Sequence, residues 1–172
     1  MKNLDNMDEN LLNSVLRRQA RSLGLCDKWY DEWERHATSQ VLIEKYLKGI
    51  DFCIKHDYPS LDFIKDNFKK EELMANGIFV DEAVDAENVS TTVVMGQSKG
   101  VLRYDRQSSF SVYVRHESAV TITANRGARV FVETYENCKV SVEADSHSKV
   151  FVYRHGGEVS AAGNVVVRDK RT

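Results

Sequence analysis

Apolar and polar positions in the second half of the chain keep a ten-residue beat. Phe110, Val120, Val130, Val140 and Val150 recur at equal spacing, each followed two positions later by Val112, Ile122, Val132, Val142 and Val152. Because side chains alternate across a strand, these positions share one buried face and the residues between them share the other. A small residue precedes each strand: Ser108, Ser118, Ala128, Cys138 and Ser148. That run suits a tight corner where stacked backbones approach closely. Self-similarity at a fixed period marks a repeat architecture, in which one unit cannot bury its apolar face alone and stacking supplies the core.

Ten residues are too few for a full coil around a core. With about five in the strand and about five in the corner, two units make one coil of a flattened two-sheet β-solenoid. The outward positions support the doubling. The first runs Ser111, Thr121, Phe131, Ser141, Phe151 and the second Tyr113, Thr123, Glu133, Glu143, Tyr153. Alternate units therefore separate into one side bearing Tyr113, Phe131, Phe151 and Tyr153, and another bearing Thr121, Thr123, Ser141 and Glu143. The rival is an antiparallel β-meander, which would put all of these on one face and would favour Asn-Gly or Asp-Gly turns. Neither dipeptide stands in this segment, although Asn125-Arg126-Gly127 and His155-Gly156-Gly157 could serve as hairpin loops.

The first half has helical rather than strand periodicity. Asp8 caps a helix carrying Leu12, Val15, Leu16 and Leu23, which stops at Gly24. A short helix from Asp27 to Arg35 places Trp29 and Trp33 one turn apart with Tyr30 beside them. A third, starting after Thr38 or Ser39, runs to about Lys55 with a stripe of Leu42, Tyr46, Leu47, Ile50, Cys53 and Ile54. Tyr58-Pro59 ends it, Ser60 caps a fourth helix with Leu61, Ile64 and Phe68, and a last turn over Glu71 to Asn76 stops at Gly77. Ile78-Phe79-Val80 reads as extended. The fold class is thus α+β: a helical domain over 1–80, an acidic linker over 81–88, and a β-solenoid over 89–172. Val93-Val94 with Leu102 would form an irregular first coil and Val165 to Val167 the last, since terminal repeats must cap an open end.

Composition narrows the function classes. At 172 residues and 42% hydrophobic content the chain can build packed cores. It has no apolar run of membrane-spanning length and no leader-like start over Met1 to Asn10, so a cytoplasmic protein without membrane contact is expected. Cys26, Cys53 and Cys138 show no CxxC spacing and read as reduced thiols. Residues 1–86 carry 12 Lys/Arg against 17 Asp/Glu, and residues 87–172 carry 12 against 9. The basic candidates in the repeat half are the row Arg129, Lys139, Lys149 and the tail Arg168, Lys170, Arg171. These suit solubilising charges at strand edges better than a nucleic-acid footprint.

Candidate chemistry is sparse. The histidines form no HExxH, and no GxSxG, GxxxxGK[ST] or GxGxxG is present, so neither a metal nor another cofactor is expected. His116 and Glu136 lie two units apart and stack in one corner, with Arg126 and Ser146 in the opposite one, so acid/base work there is the enzymatic alternative. Arg154 and His155 belong to the same alternative. Stacking generates such pairs in any repeat protein, so polar corner residues in water are the stronger reading. Asn125 and Asp145 stack as well, without the Gly- and Asp-rich nonapeptide of a calcium-binding corner.

Two surfaces remain as binding candidates. One is the aromatic side of the solenoid, Tyr113, Phe131, Phe151 and Tyr153 with Arg129 and Lys149 at its margin, because contiguous patches of this kind meet partners. The other is Trp29, Tyr30 and Trp33, a pattern that also suits a helical core. From Leu25-Cys26-Asp27-Lys28-Trp29 through Gly49 to Ile54, His56-Asp57-Tyr58-Pro59-Ser60, Gly77 to Asp81 and the Val-x-Val repeat ending at Arg171, the chain resembles uncharacterised phage and prophage proteins of gut bacteria. The resemblance implies the cytosol of an infected bacterium and a host or phage protein as partner; it carries no active site. The repeat half is also similar, in architecture alone, to short β-helical self-association modules of bacterial cytoskeletal and division proteins. The leading expectation is a non-enzymatic binding or assembly protein that forms homo-oligomers. The alternative is a phage inhibitor of host defence that sequesters a protein or a nucleotide signal, since Arg and Lys beside aromatic rings suit a base and a phosphate.

Overall fold

The computed structural model describes residues 8–171, and the chain divides into two compact units, Met1–Asn76 and Gly77–Thr172. Among the described residues the first unit holds α1 Glu9–Ser22, α2 Asp27–Asp31, α3 Ser39–Lys48, α4 Ile50–His56, α5 Leu61–Asn67 and α6 Lys70–Ala75. Side-chain caps set three of the starts: Asp8 accepts from the Asn10 N–H, Thr38 from Val41 and Ser60 from Phe63. The long third helix expected from the apolar stripe is two helices, broken at Gly49. Hydrogen bonding continues across the break, with Gly49 N–H donating to Lys45 O at 2.9 Å and Cys53 N–H to Gly49 O at 3.0 Å, so the glycine bends the path without ending it. The second helix is shorter than expected because Trp33 N–H turns back to Tyr30 O in a tight final turn.

The core of this unit is Leu12, Leu16, Ala20, Ala37, Leu42, Cys53 and Tyr58, with Trp33, Phe52 and Phe63 packed against it. Three polar side-chain bonds tie this core together. Tyr58 Oη donates to Leu16 O at 2.6 Å, Asn13 Nδ2 donates to Glu34 O at 3.0 Å, and Trp33 Nε1 donates to Asn13 Oδ1 at 2.6 Å. Burial pushes the Tyr58 hydroxyl well above its ordinary pKa, so it stays protonated as a donor.

The second unit is a β-solenoid. Its strands are β1 Ile78–Val80, β2 Ala83–Glu87, β3 Thr91–Met95, β4 Lys99–Tyr104, β5 Ser109–Val114, β6 Ala119–Ala124, β7 Arg129–Thr134, β8 Lys139–Ala144, β9 Lys149–Arg154, β10 Glu158–Gly163 and β11 Val165–Asp169. Odd strands stack as a six-stranded sheet and even strands as a five-stranded sheet. Every pairing is parallel, which excludes the meander. Ser109 pairs with Arg129 and that with Lys149; Ala119 pairs with Lys139. The twenty-residue coil inferred from alternate outward residues is therefore the register of the sheets. Each regular half-coil is a six-residue strand and a four-residue corner, a longer strand than expected.

The core rows are the Val/Ile positions read from the beat. Val112, Val130, Val132, Val150, Val152 and Ile122 are wholly buried, and Ser118, Ala128, Cys138 and Ser148 fill the corners behind them. Ser108, placed in that small-residue series, is exposed.

The expected boundaries move. Ile78–Val80 is the first strand of the six-stranded sheet, and the segment read as an acidic linker is a corner followed by β2. Its acidity misled because Asp85 and Glu87 are outward residues of a strand whose inward positions are Val84 and Ala86, while Asp81 turns the corner at φ +52 with its Oδ1 accepting from Gln97 N–H at 2.8 Å. β3 and β4, expected to be irregular, are in full register with β5 and β6. The irregularity sits in the end coils, where corners shorten: Asn164 alone joins β10 to β11. Gly163, at φ +79, allows that bend, since a Cβ there would lie 1.9 Å from Ala144 O. Asn164 then stands in for the missing corner, with Nδ2 donating to Ser148 O at 2.7 Å and Oδ1 accepting from Lys149 Nζ at 2.8 Å.

Candidate functional site

Period-two alternation sends Arg129, Phe131 and Glu133 outward from β7, and Lys149, Phe151 and Tyr153 outward from β9 directly beside them. The rings of Phe131 and Phe151 stack at 5.5 Å between centroids, 11° from parallel. Tyr113 and Tyr153 flank Glu133 in the next row, because Tyr113 pairs with Glu133 and Glu133 with Tyr153. All five side chains are half-buried. Arg129 and Lys149 pair at the margin, and Lys149 Nζ lies 5.8 Å from the Phe151 centroid. The expected aromatic side therefore exists as one surface, with a carboxylate in its middle.

The alternation runs on into the corner, a continuation that the strand pattern alone did not suggest. Tyr135 and His155 follow Glu133 and Tyr153 at the same parity, and their rings stack at 4.7 Å and 2° from parallel. Tyr135 Oη donates to Glu133 Oε2, and His155 Nε2 lies 3.3 Å from the same oxygen. Extending the i, i+2 pattern past each strand end would have found both rings. Together the two coils present stacked Phe, then carboxylate and tyrosine, then stacked Tyr and His, a surface rich in groups that proteins use for contact and poor in mobile charge.

The corner candidates act on the backbone. His116, Arg126 and Glu136 each turn a corner in the left-handed region, with φ of 59, 57 and 53. Glu136 Oε2 accepts the His116 N–H at 3.0 Å, its Oε1 accepts from Arg115 Nη2 at 2.7 Å, and His116 Nδ1 accepts the Gly96 N–H at 3.1 Å. The side chains of His116 and Glu136 thus each hold the corner of the preceding coil. In the opposite corner Asp145 Oδ2 accepts from Arg126 N–H and its Oδ1 from His147 N–H, both at 3.0 Å, and these bonds keep its carboxyl below the usual range. Arg154 Nε donates to Gly157 O at 2.7 Å. The His116–Glu136 pair offered as an acid/base candidate is bonded to main chain through His116 Nδ1 and Glu136 Oε2.

Burial pushes the Cys138 thiol up to about 11, so it is a protonated filler in its corner and no thiolate nucleophile. Among the described residues no three His, Cys, Asp or Glu side chains gather as a metal site. The five-stranded sheet presents a different surface: a shallow groove of about 280 Å³ lined by Thr121, Ser141, Ser160, Lys139 and Glu158, without an aromatic ring.

Trp29, Tyr30 and Trp33 separate in the first unit. Trp33 belongs to the core through its bond to Asn13. The Tyr30 ring lies under two guanidinium groups, Arg17 at 3.9 Å and Arg21 at 4.9 Å. Trp29 is 42% exposed. No helix among the described residues is long and apolar enough to cross a membrane. Comparison with known proteins finds no matching family model, no similar curated protein and no similar solved structure.

Proposed function

We propose that this chain is a non-enzymatic binding and assembly protein whose solenoid associates through the outward aromatic face of the six-stranded sheet. One observation carries the reading: Phe131 and Phe151 stack in register, between the Arg129/Lys149 margin and the Tyr113–Glu133–Tyr153 row, and remain partly open to solvent. Neighbouring rings held by the sheet lose little freedom when covered, and aromatic groups with an arginine margin are the composition of interface cores. The corner histidine and carboxylates support the same class of function, since their lone pairs serve the backbone. In the bacterial setting that the phage resemblance implies, the first unit then offers Trp29 to a host or phage target.

Light scattering of the full chain at micromolar concentration tests the face. Association is expected, and Phe131→Asp with Phe151→Asp weakens it while circular dichroism keeps the strand signal. The milder pair Phe131→Ser and Phe151→Ser has the same effect in smaller degree. A mass unchanged by both pairs overturns the reading.

A further inference from the structure

The solenoid's two ends differ. At the N-terminal end the inward residues Phe79 and Val84 are buried. At the C-terminal end the inward positions of the last coil are Val159, Ala161, Val165 and Val167, which continue the core rows Val140, Val142, Val150 and Val152. Val167 is 44% exposed and Ala161 is exposed as well. The core thus runs open to this end.

The same residues carry free backbone groups. β10 pairs only with β8 and β11 only with β9. Glu158 N–H donates to Cys138 O, Asn164 N–H to Ala144 O and Lys170 N–H to Arg154 O, so the even-numbered residues face the preceding coil. Successive backbone groups along a strand point to opposite sides, and those of Val159, Ala161, Val165 and Val167 therefore point off the end. Neither strand carries a proline or a bulge, and the one charge at an inward position, Asp169 at the last residue of β11, is bonded to Arg171.

We propose that this end binds the same end of a second copy, in a closed twofold pair that lays β11 of each copy antiparallel to β10 of the other. The occupant must bring two strand edges joined by a corner of matching width over an apolar centre, and this end itself meets that requirement. Charge selects the arrangement. β10 begins and β11 ends at the same corner, the one formed by residues 155–157. A twofold axis along the strands sets Glu158 of one copy beside Arg168 and Lys170 of the other, twice. An axis perpendicular to the sheets would pair β11 with β11 and leave those charges unmatched. With inward residues buried at the opposite end, the contact joins like ends and closes at two chains, without growing into a filament.

The inference rests on the assembly reading only in taking the chain as self-associating, and it uses a separate surface. Sedimentation equilibrium of the full chain tests it. Glu158→Lys alone, and Arg168→Glu with Lys170→Glu, are each expected to weaken the end-to-end pair about tenfold, and the three changes together to restore it. These residues are exposed, so the fold persists in every variant. The Phe131→Asp, Phe151→Asp chain keeps the pair. A monomeric wild type, charge variants without effect, or a triple variant that stays weak overturns the end-to-end pair. A mass that climbs without limit in the Phe131→Asp, Phe151→Asp chain does so too. Association lost in that chain but intact in the charge variants leaves the aromatic face standing and removes the end.

Discussion

The helical unit and the solenoid solve the same problem, burying a backbone and a core in a small volume, by opposite means. In the helical unit the buried side chains of Asn13 and Tyr58 each find long-range partners of their own. Asn13 joins Glu34 and Trp33, and Tyr58 reaches Leu16, bonds that no repeat could generate. In the solenoid one rule is applied coil after coil: a Val row inside, a small residue in the corner, and a corner side chain capping the coil before. Unique pairs make the first unit sensitive at single polar positions. Repetition makes the second tolerant of any one corner and sensitive wherever a change runs against a whole row.

The largest effect should come from setting a charge inside a row. Val132 is wholly buried between Val112 and Val152, so Val132→Asp is expected to cost about 4 kcal/mol or more, and urea melts followed by circular dichroism will show the strand signal lost. Survival of the helical signal in that variant would sharpen the division into two units; a single joint transition would break it. Next comes Leu12→Ala in the helical core, expected to cost about 3 kcal/mol by the same melts. A smaller loss, about 2 kcal/mol, is expected for Asn13→Leu, which strands the Glu34 carbonyl and the Trp33 N–H. Its solenoid counterpart Ser118→Ala, which removes one bond to Gly96 O, should cost about 1 kcal/mol or less, and equal costs for the two would contradict the contrast.

The smallest effect is the most specific. Asp145 has its folded pKa depressed below 3.8 by the Arg126 N–H and its neighbours, so the stability it contributes is present above 3.8 and is lost as pH falls through the lower folded value. The melting temperature of wild type should exceed that of Asp145→Asn near neutrality, and the gap should close in acid. A gap that is constant with pH would mean that the carboxylate's charge plays no part in holding the corner.

Much of this fold is legible in the order of residues alone. Alternating residues at a ten-residue spacing report which side chains point inward, because inward and outward positions have opposite solvation. The different outward residues of alternate units then report the doubling into two sheets. What escapes has equally physical causes. β2 is short, half polar and follows an acidic corner, so its one buried residue, Val84, makes no pattern. Tyr135 sits in a corner, where the eye stops counting alternation although the backbone does not. The break at Gly49 leaves no mark in an amphipathic stripe that continues across it.

By itself, then, the sequence determined the class of the fold, the coil length, the inward rows and the membership of the aromatic side, all of which follow from local alternation and solvation. Only the tertiary structure decided that His116, Glu136 and Asp145 hold main chain, that Glu133 gathers Tyr135 and His155, and that the last coil leaves Val167 and its edge uncovered. Most of those facts depend on contacts between residues about twenty positions apart in sequence and one rung apart in space. The reason is register: composition says what each rung contains, and only stacking says what each rung touches.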